Sequence, residues 1–425
     1  MNQNDPSHLT LQFPPDFLWG SATSSHQVEG NNTNNDWWEW EQRVQPPEKR
    51  SGLACNQYEL YEQDFDLIKE LGHNAHRLSL EWSRIEPVEG QFDAAAIEHY
   101  RLVLKALQDR GIKVMLTTFH FTIPRWLAAK GGWENGKAAK YFARFIDRIT
   151  PVYKDYVDLW CTINEPGVYI YQNYIIGAWP PQKISWWKSF KVYMNLIKGH
   201  QLAYKMIHKH QLNARVGIAH NVNSIRALHK HSFRENFAVW MGDLIANQSF
   251  LLLTGKNTHD YIGLNYYFNR YVSLTDNKFW PRAFDIKESQ KDTSDLGWEV
   301  RPEGIFDVIM NFAAYKKPIY ITENGISVAK DDRRARFLVS YLKEAYHAIR
   351  LGADLRGYFY WSFMDNFEWA DGFKPRFGMV EVDYETMKRT PRNSAYVYRK
   401  IIENNGLPYS VLKLRGHGIE AKEVL

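Results

Sequence analysis

Residues 57–82 read QYELYEQDFDLIKELGHNAHRLSLEW, and their reading decides the fold. Tyr58, Tyr61, Phe65, Ile68 and Leu71 recur at helical spacing and stop at Gly72. The run from Ala75 to Trp82 then has strand character. A periodic apolar face ended by glycine and followed by a short apolar run is a helix feeding a buried strand.

The same unit recurs in both directions. Asp93 is placed to cap a helix whose face is Ile97, Tyr100, Leu104 and Leu107; Gly111 ends it, and Ile112 to Phe119 reads as a strand. A helix over Tyr141–Tyr156, expected to be interrupted by Pro151, leads to a strand over Leu159–Ile163. Helices around Val192–His208, Asn236–Leu253, Pro302–Tyr315 and Phe337–Leu351 lead in turn to Val216–Ala219, Tyr261–Tyr266, Ile319–Thr322 and Leu355–Trp361. With Phe17–Ala22 there are eight strands. Alternation of strand and helix implies a parallel sheet, and strands without polar alternation imply burial on both faces.

At about 150 residues per domain the 425 residues would make roughly three domains. Eight units without a Pro- or Ser-rich linker favour instead one α/β domain, a (β/α)8 TIM barrel over 1–425 with loop insertions and short flexible ends at about 1–10 and 415–425. A minimal barrel needs about 250 residues, which leaves a large remainder for loops and extra helices.

Composition narrows the function classes. Aromatic residues are 15% of the chain, which excludes disorder as the dominant state. No run approaches about 18 consecutive apolar residues, so no membrane partner is expected. The net charge of +5 comes from 53 Lys and Arg against 48 Asp and Glu, read as alternating with one another, so no nucleic-acid partner is expected. Cys55 and Cys161 form neither a metal spacing nor a disulfide framework, and Cys161 lies in the apolar run Val157–Ile163. Met1 to Thr10 is polar, without the apolar stretch of a leader, and a cytoplasmic location is expected.

Loops after barrel strands carry active sites. Strand four runs into Thr162-Ile163-Asn164-Glu165-Pro166, and strand seven into Thr322-Glu323-Asn324-Gly325. One buried glutamate could be a structural ion pair, for example with Arg77. Two, each beside an Asn and a turn residue on strands facing across the mouth, point to paired carboxylate chemistry such as glycoside hydrolysis. One carboxyl must be protonated to assist the leaving oxygen; the other must be ionised. Spacing along the chain leaves retention and inversion both open. Around the pair, Gln27, His120, Asn164 and Glu368 offer hydrogen bonds to hydroxyls, and Trp361 and Trp369 offer faces for a pyranose. Singly, each aromatic or His reads better as core; their common position at strand ends reverses that.

At this point the chain resembles glycoside hydrolase family 1, the β-glucosidase and β-galactosidase family, from Phe13-Pro14-Pro15-Asp16-Phe17-Leu18-Trp19-Gly20 to about Gly406. The motifs that carry the resemblance include Gln27-Val28-Glu29-Gly30, Arg77-Leu78-Ser79-Leu80-Glu81-Trp82-Ser83-Arg84, Gly263-Leu264-Asn265-Tyr266-Tyr267 and Asp365-Asn366-Phe367-Glu368-Trp369, besides the two glutamate motifs. The resemblance implies a retaining exo-β-glycosidase acting on terminal β-D-glucosyl residues, with galactosyl or fucosyl residues also accepted. It implies that Glu165 is acid/base and Glu323 nucleophile. Gln27, His120, Asn164, Tyr267, Glu368 and Trp369 match sugar-holding residues, with Trp361 beneath the ring. Arg77, Asn265 and Tyr267 match groups around the nucleophile, and Phe377 a supporting position. Arg77 is expected to keep Glu323 ionised. Two carboxylates suffice, so no metal and no cofactor is expected. The partner is a small oligosaccharide or an aryl or alkyl β-glycoside. Glu368 argues against a phosphorylated sugar, and a Glu rather than Gln at 165 argues for an O-glycoside. A transglycosylating member and a catalytically silent sugar-binding barrel are the alternatives.

Three departures from the family pattern stand out. The segment between Asn223 and His259 is short, which predicts a wider or more exposed mouth on that side. Phe121 follows His120 where many members have Trp. Pro151 falls before strand four.

Overall fold

The computed structural model describes residues 9–273, 282–284, 292–416 and 419–425. Eight parallel strands close a barrel: β1 Leu18–Ala22, β2 Ala75–Ser79, β3 Lys113–Thr117, β4 Leu159–Asn164, β5 Val216–Ala227, β6 Ile262–Ser273, β7 Ile319–Asn324 and β8 Leu355–Trp361. Each pairs with the next, and β8 returns to β1 with Gly357 opposite Leu18. All residues of β2, β4 and β7 are buried, as apolar runs without alternation require.

The main outer helices are α1 Gln57–Glu70, α2 Ala94–Asp109, α3 Ala138–Tyr153, α4 Trp186–His210, α5 Phe233–Asp243, α6 Glu303–Ala313, α7 Asp331–Arg350 and α8 Asn393–Glu403. The expected cap is present: the Asp93 carboxylate accepts from the amides of Ala95 and Ala96, satisfying two donors that the first turn of α2 leaves free. Gly111 takes φ +71° where that helix hands over to β3. On its inner side α2 buries Ile97, Tyr100, Leu104 and Leu107, the four residues of the expected face. Buried aliphatic side chains of this size stabilise by about 1.5–3 kcal/mol each.

Four readings need correction. Pro151 does not interrupt α3, which runs through it to Tyr153. The proline sits in the last turn, where only one helical hydrogen bond is forfeited, and the neighbouring Thr150 hydroxyl donates to the Ile146 carbonyl. Strand two ends at Ser79 rather than Trp82, because the Glu81 side chain accepts from the Ser83 amide and starts a short helix, Trp82–Ile85. Strands five and six run on to Ala227 and Ser273, beyond the barrel, where Ser224 to Ala227 pair with Asn269 to Val272. The first residues of the short connection after β5 are therefore strand rather than loop. Finally, residues 419–425 are not a loose end. Ala421 and Val424 are buried, and the Ala421 amide donates to Asp332 Oδ1 at 2.8 Å. At the other end, Thr10–Gln12 pairs with Gly406–Pro408. The rest of the expected flexible start, residues 1–8, lies outside the described residues.

Candidate active site

The two glutamates sit at the C-terminal ends of β4 and β7, on opposite sides of the barrel, and the barrel's own close packing sets their supports. Gly263 on β6 lies so near β5 and β7 that a Cβ there would overlap the Ile218 carbonyl and the Thr322 side chain. That approach brings Asn265, two residues on, between the glutamates. Its Nδ2 donates to Glu165 Oε1 at 2.9 Å, and its Oδ1 accepts from Thr322 Oγ1 at 2.6 Å.

Glu323 is fixed at both oxygens. Arg77, on β2 and 1% exposed, donates from Nη1 to Glu323 Oε1 at 2.5 Å, and the Tyr267 hydroxyl donates to Oε2 at 2.6 Å. Arg77 also reaches Thr117 Oγ1, the Thr322 carbonyl and Asn164 Oδ1 at 3.1, 3.2 and 2.7 Å. A buried guanidinium needs such a full set of acceptors. The same arginine therefore joins β2, β3, β4 and β7 at one point.

Glu165 is held differently. It has φ +43°, a left-handed conformation that an L side chain adopts at a cost of about 1–3 kcal/mol. Asn221 Nδ2 adds a 3.3 Å hydrogen bond to its Oε1. Burial, and then the negative charge of Glu323, push its carboxyl up to about 8, so it is protonated at neutral pH.

The remaining expected residues converge on the same end. Gln27 donates to the Asn366 and Phe367 oxygens at 3.0 and 2.8 Å and to Glu368 Oε2 at 3.3 Å. Burial, with the charges of Asp371, Glu323 and Glu165, raises the Glu368 carboxyl to about 8. His120 is buried beside Arg77, and both burial and that charge keep it neutral. Its Nε2 accepts from Asn164 Nδ2 at 3.2 Å, and its Nδ1 has no partner among the described residues. The His120 ring is stacked with Trp361 at 6.1 Å and with Trp369 at 6.0 Å between centroids. Phe377 packs edge-on to Tyr267 at 6.4 Å and so buttresses the hydroxyl that holds Glu323.

All twelve expected residues thus gather around one centre. Sequence reading missed Asn221, Thr117 and Thr322, which complete the carboxylate supports, and Trp179, which lies 5.7 Å from Trp369. Asn221 had a signal: it follows the end of an expected strand, as Asn164 and Glu323 do. Phe121, the departure beside His120, has φ +71° and packs against Trp179 and Trp369 at 5.3 and 5.2 Å.

Comparison with known proteins identifies the family. The model of glycosyl hydrolase family 1 matches residues 9–251 and 228–407. The chain is 30% identical to beta-glucosidase A of Thermotoga maritima, over 93% of this chain and 99% of that protein. It is also 30% identical to a beta-galactosidase of Pyrococcus woesei, over 93% and 98%. Among solved structures, a beta-glycosidase from Pyrococcus horikoshii superposes with a TM-score of 0.89 at 40% identity, covering 95% of this chain and 98% of that one. The Thermotoga maritima beta-glucosidase in complex with glucoimidazole superposes with a TM-score of 0.86 at 29% identity, covering 93% and 100%.

Proposed function

The chain belongs to glycosyl hydrolase family 1 and is a β-glucosidase-like glycoside hydrolase, and from that premise we propose that it removes terminal non-reducing β-D-glucosyl residues, with galactosyl or fucosyl residues as further substrates, through a covalent glycosyl-enzyme with retention of configuration. The observation that carries this reading is the asymmetry of the two carboxyls. Glu165 is buried on neutral amides, and burial with the charge of Glu323 pushes its carboxyl up to about 8. Glu323 is gripped by a guanidinium and a phenol at its two oxygens.

In the first step Glu323 attacks the anomeric carbon while Glu165 gives its proton to the glycosidic oxygen, and the aglycone leaves as an alcohol. The ester at Glu323 is neutral, so the charge that helped to raise Glu165 is gone and its carboxyl acidity returns. Glu165 then takes a proton from water, whose oxygen attacks the anomeric carbon and frees Glu323. In this reading Gln27, Glu368 and His120 meet sugar hydroxyls, and Trp361 and Trp369 face the ring. That the similar beta-glucosidase from Thermotoga maritima is found in complex with glucoimidazole supports a glucose-like ligand. The free, buried Cys55 and Cys161 support a cytoplasmic location.

The test is to follow hydrolysis of an aryl β-glucoside by proton NMR. The β-anomer of glucose should appear first and mutarotate later. First appearance of the α-anomer would sink retention, and no hydrolysis of any aryl β-glycoside would sink the whole reading.

A further inference from the structure

Between Glu165 and Glu235 the chain carries ten Lys and Arg and no Asp or Glu. The alternation of charges read from the whole sequence therefore fails over this span. The same span and the helix that follows it expose an unusual set of large apolar side chains. Trp186, Trp187 and Phe190, in the first turns of α4, are 78%, 73% and 56% exposed, and Phe233, Phe237 and Trp240 on α5 are 84%, 56% and 58% exposed. The two helical stretches meet at one junction, C-terminal to both groups. The Tyr193 hydroxyl shares a 2.5 Å hydrogen bond with Ser249 Oγ, and its ring lies 5.7 Å from Phe250, in the helical continuation of α5. Both helices follow barrel strands, so their N-terminal ends lie at the catalytic end of the barrel.

Large aromatic side chains exposed on two helices that meet mark an interaction surface. Its charge says with what. Glu134 faces Lys183 and Lys188, and Asp307 faces Arg226. Lys191, Lys198, Lys230 and Arg234 are exposed around the same helices. A second copy of the chain docked about a twofold axis would set this basic collar against itself. An anionic bilayer would complement it, with the Trp and Phe rings at headgroup depth.

We infer that the α4–α5 face seats the enzyme on an anionic lipid surface. The helix over Phe233–Thr254 is long and apolar enough to cross a membrane. It does not need to: Glu235, Asn247, Phe250, Leu251 and Thr254 are buried against the rest of the chain, so the helix lies on its own protein and offers only its outer side. The expectation of no membrane partner came from the absence of a spanning run, a criterion blind to a helix that lies in the interface.

Flotation of the full-length enzyme with vesicles tests this, independently of whether the glycosidase reading holds. It should float with vesicles of phosphatidylcholine and phosphatidylglycerol in roughly equal parts, and about tenfold less with phosphatidylcholine alone. Raising salt from about 0.1 M to about 1 M, which shortens the screening length from about 10 Å to about 3 Å, should release most of it. The pair Trp187→Ser and Phe233→Ser should lower partitioning about tenfold, and so should Lys191→Gln with Lys230→Gln on the anionic vesicles. Both pairs should hydrolyse a soluble aryl β-glucoside as the parent does, which shows that they are folded. Absence of flotation at every composition overturns the inference, and so does equal, salt-insensitive flotation with neutral vesicles. Light scattering that shows a stable dimer, split by Trp187→Ser with Phe233→Ser, also overturns it and gives the face to a second copy.

Discussion

The ends of β4 and β7 offer the same vocabulary, a glutamate and an asparagine side by side at a turn, yet the barrel treats them in opposite ways. At β7, Glu323 meets a cation and a phenol, one at each oxygen. At β4, among the described residues, Glu165 meets two neutral amides, both on Oε1, in a backbone conformation that favours glycine. Its neighbour Asn164 takes a hydrogen bond from Arg77, while Arg77 acts on Glu165 less than Glu323 and the two amides do, and through no hydrogen bond among the described residues. The lesson is that an acid and a nucleophile need not differ in residue type. Direct contact with one arginine at one strand end, and burial against neutral amides at the other, divide the roles.

The contrast breaks most visibly if the carboxyls are removed in turn. Replacing Glu323 by Gly should lower kcat by on the order of 10⁴–10⁶-fold for every ordinary substrate, because no glycosyl-enzyme can form. Azide should then attack the vacated face and give the α-glycosyl azide. Replacing Glu165 by Ala should cost about 10²–10⁴-fold with a poor leaving group. With dinitrophenolate, which leaves without a proton, the first step should survive and the intermediate should accumulate. Azide needs no general base, so it should rescue turnover and give the β-product. Identical azide products from the two variants would mean that the roles are reversed or shared.

How much of this was legible follows from the physics of each part. The eight strands could be read because burial on both faces leaves apolar runs, and the helix bounds because Asp93 and Gly111 are chemical punctuation. The ribbon beyond β5 and β6 could not. Asn221, Asn223, Asn269 and Arg270 interrupt the apolar runs, and only cross-strand pairing shows that the strands continue. The glutamates could be read from their neighbours in sequence. Their different partners could not, since Arg77 lies 246 residues from Glu323 and meets it only across the closed barrel. The exposed face on α4 and α5 was hidden for a related reason. Trp186 and Phe233 look like core residues until packing shows what fails to cover them.

A smaller effect sharpens the β7 side. Tyr267→Phe removes the hydrogen bond to Glu323 Oε2 but leaves Arg77 in place, and the ring keeps its contacts with Phe377 and Trp298. A hydrogen bond to a charged group contributes about 1.5–3 kcal/mol, so kcat/KM should fall about 10–10²-fold. The loss should appear in the glycosylation step, measured as single-turnover release of the aryl group. An unchanged rate would mean that the phenol orients nothing.

The smallest effect sharpens the β4 side, and its sign is fixed. Burial and the charge of Glu323 hold the Glu165 carboxyl at about 8, so activity should fall as pH rises through that value and the proton donor is lost. The amides of Asn265 and Asn221 oppose this, because a donated hydrogen bond favours the ionised form. Asn221→Leu removes one of them and fills its space with an apolar group, which keeps water out. The carboxylate loses support and the acid form persists further, so the alkaline limb of kcat/KM should move upward, by less than about one pH unit for one hydrogen bond of about 1 kcal/mol. Because the substitution leaves Arg77, Tyr267 and Glu323 untouched, the rate at neutral pH should stay within a few-fold of the parent. A limb that moves downward would show that water had entered and that dryness, rather than the balance of amides, sets the acid. A limb that does not move would remove Asn221 from the site, and with it the claim that Glu165 is poised by its neutral partners.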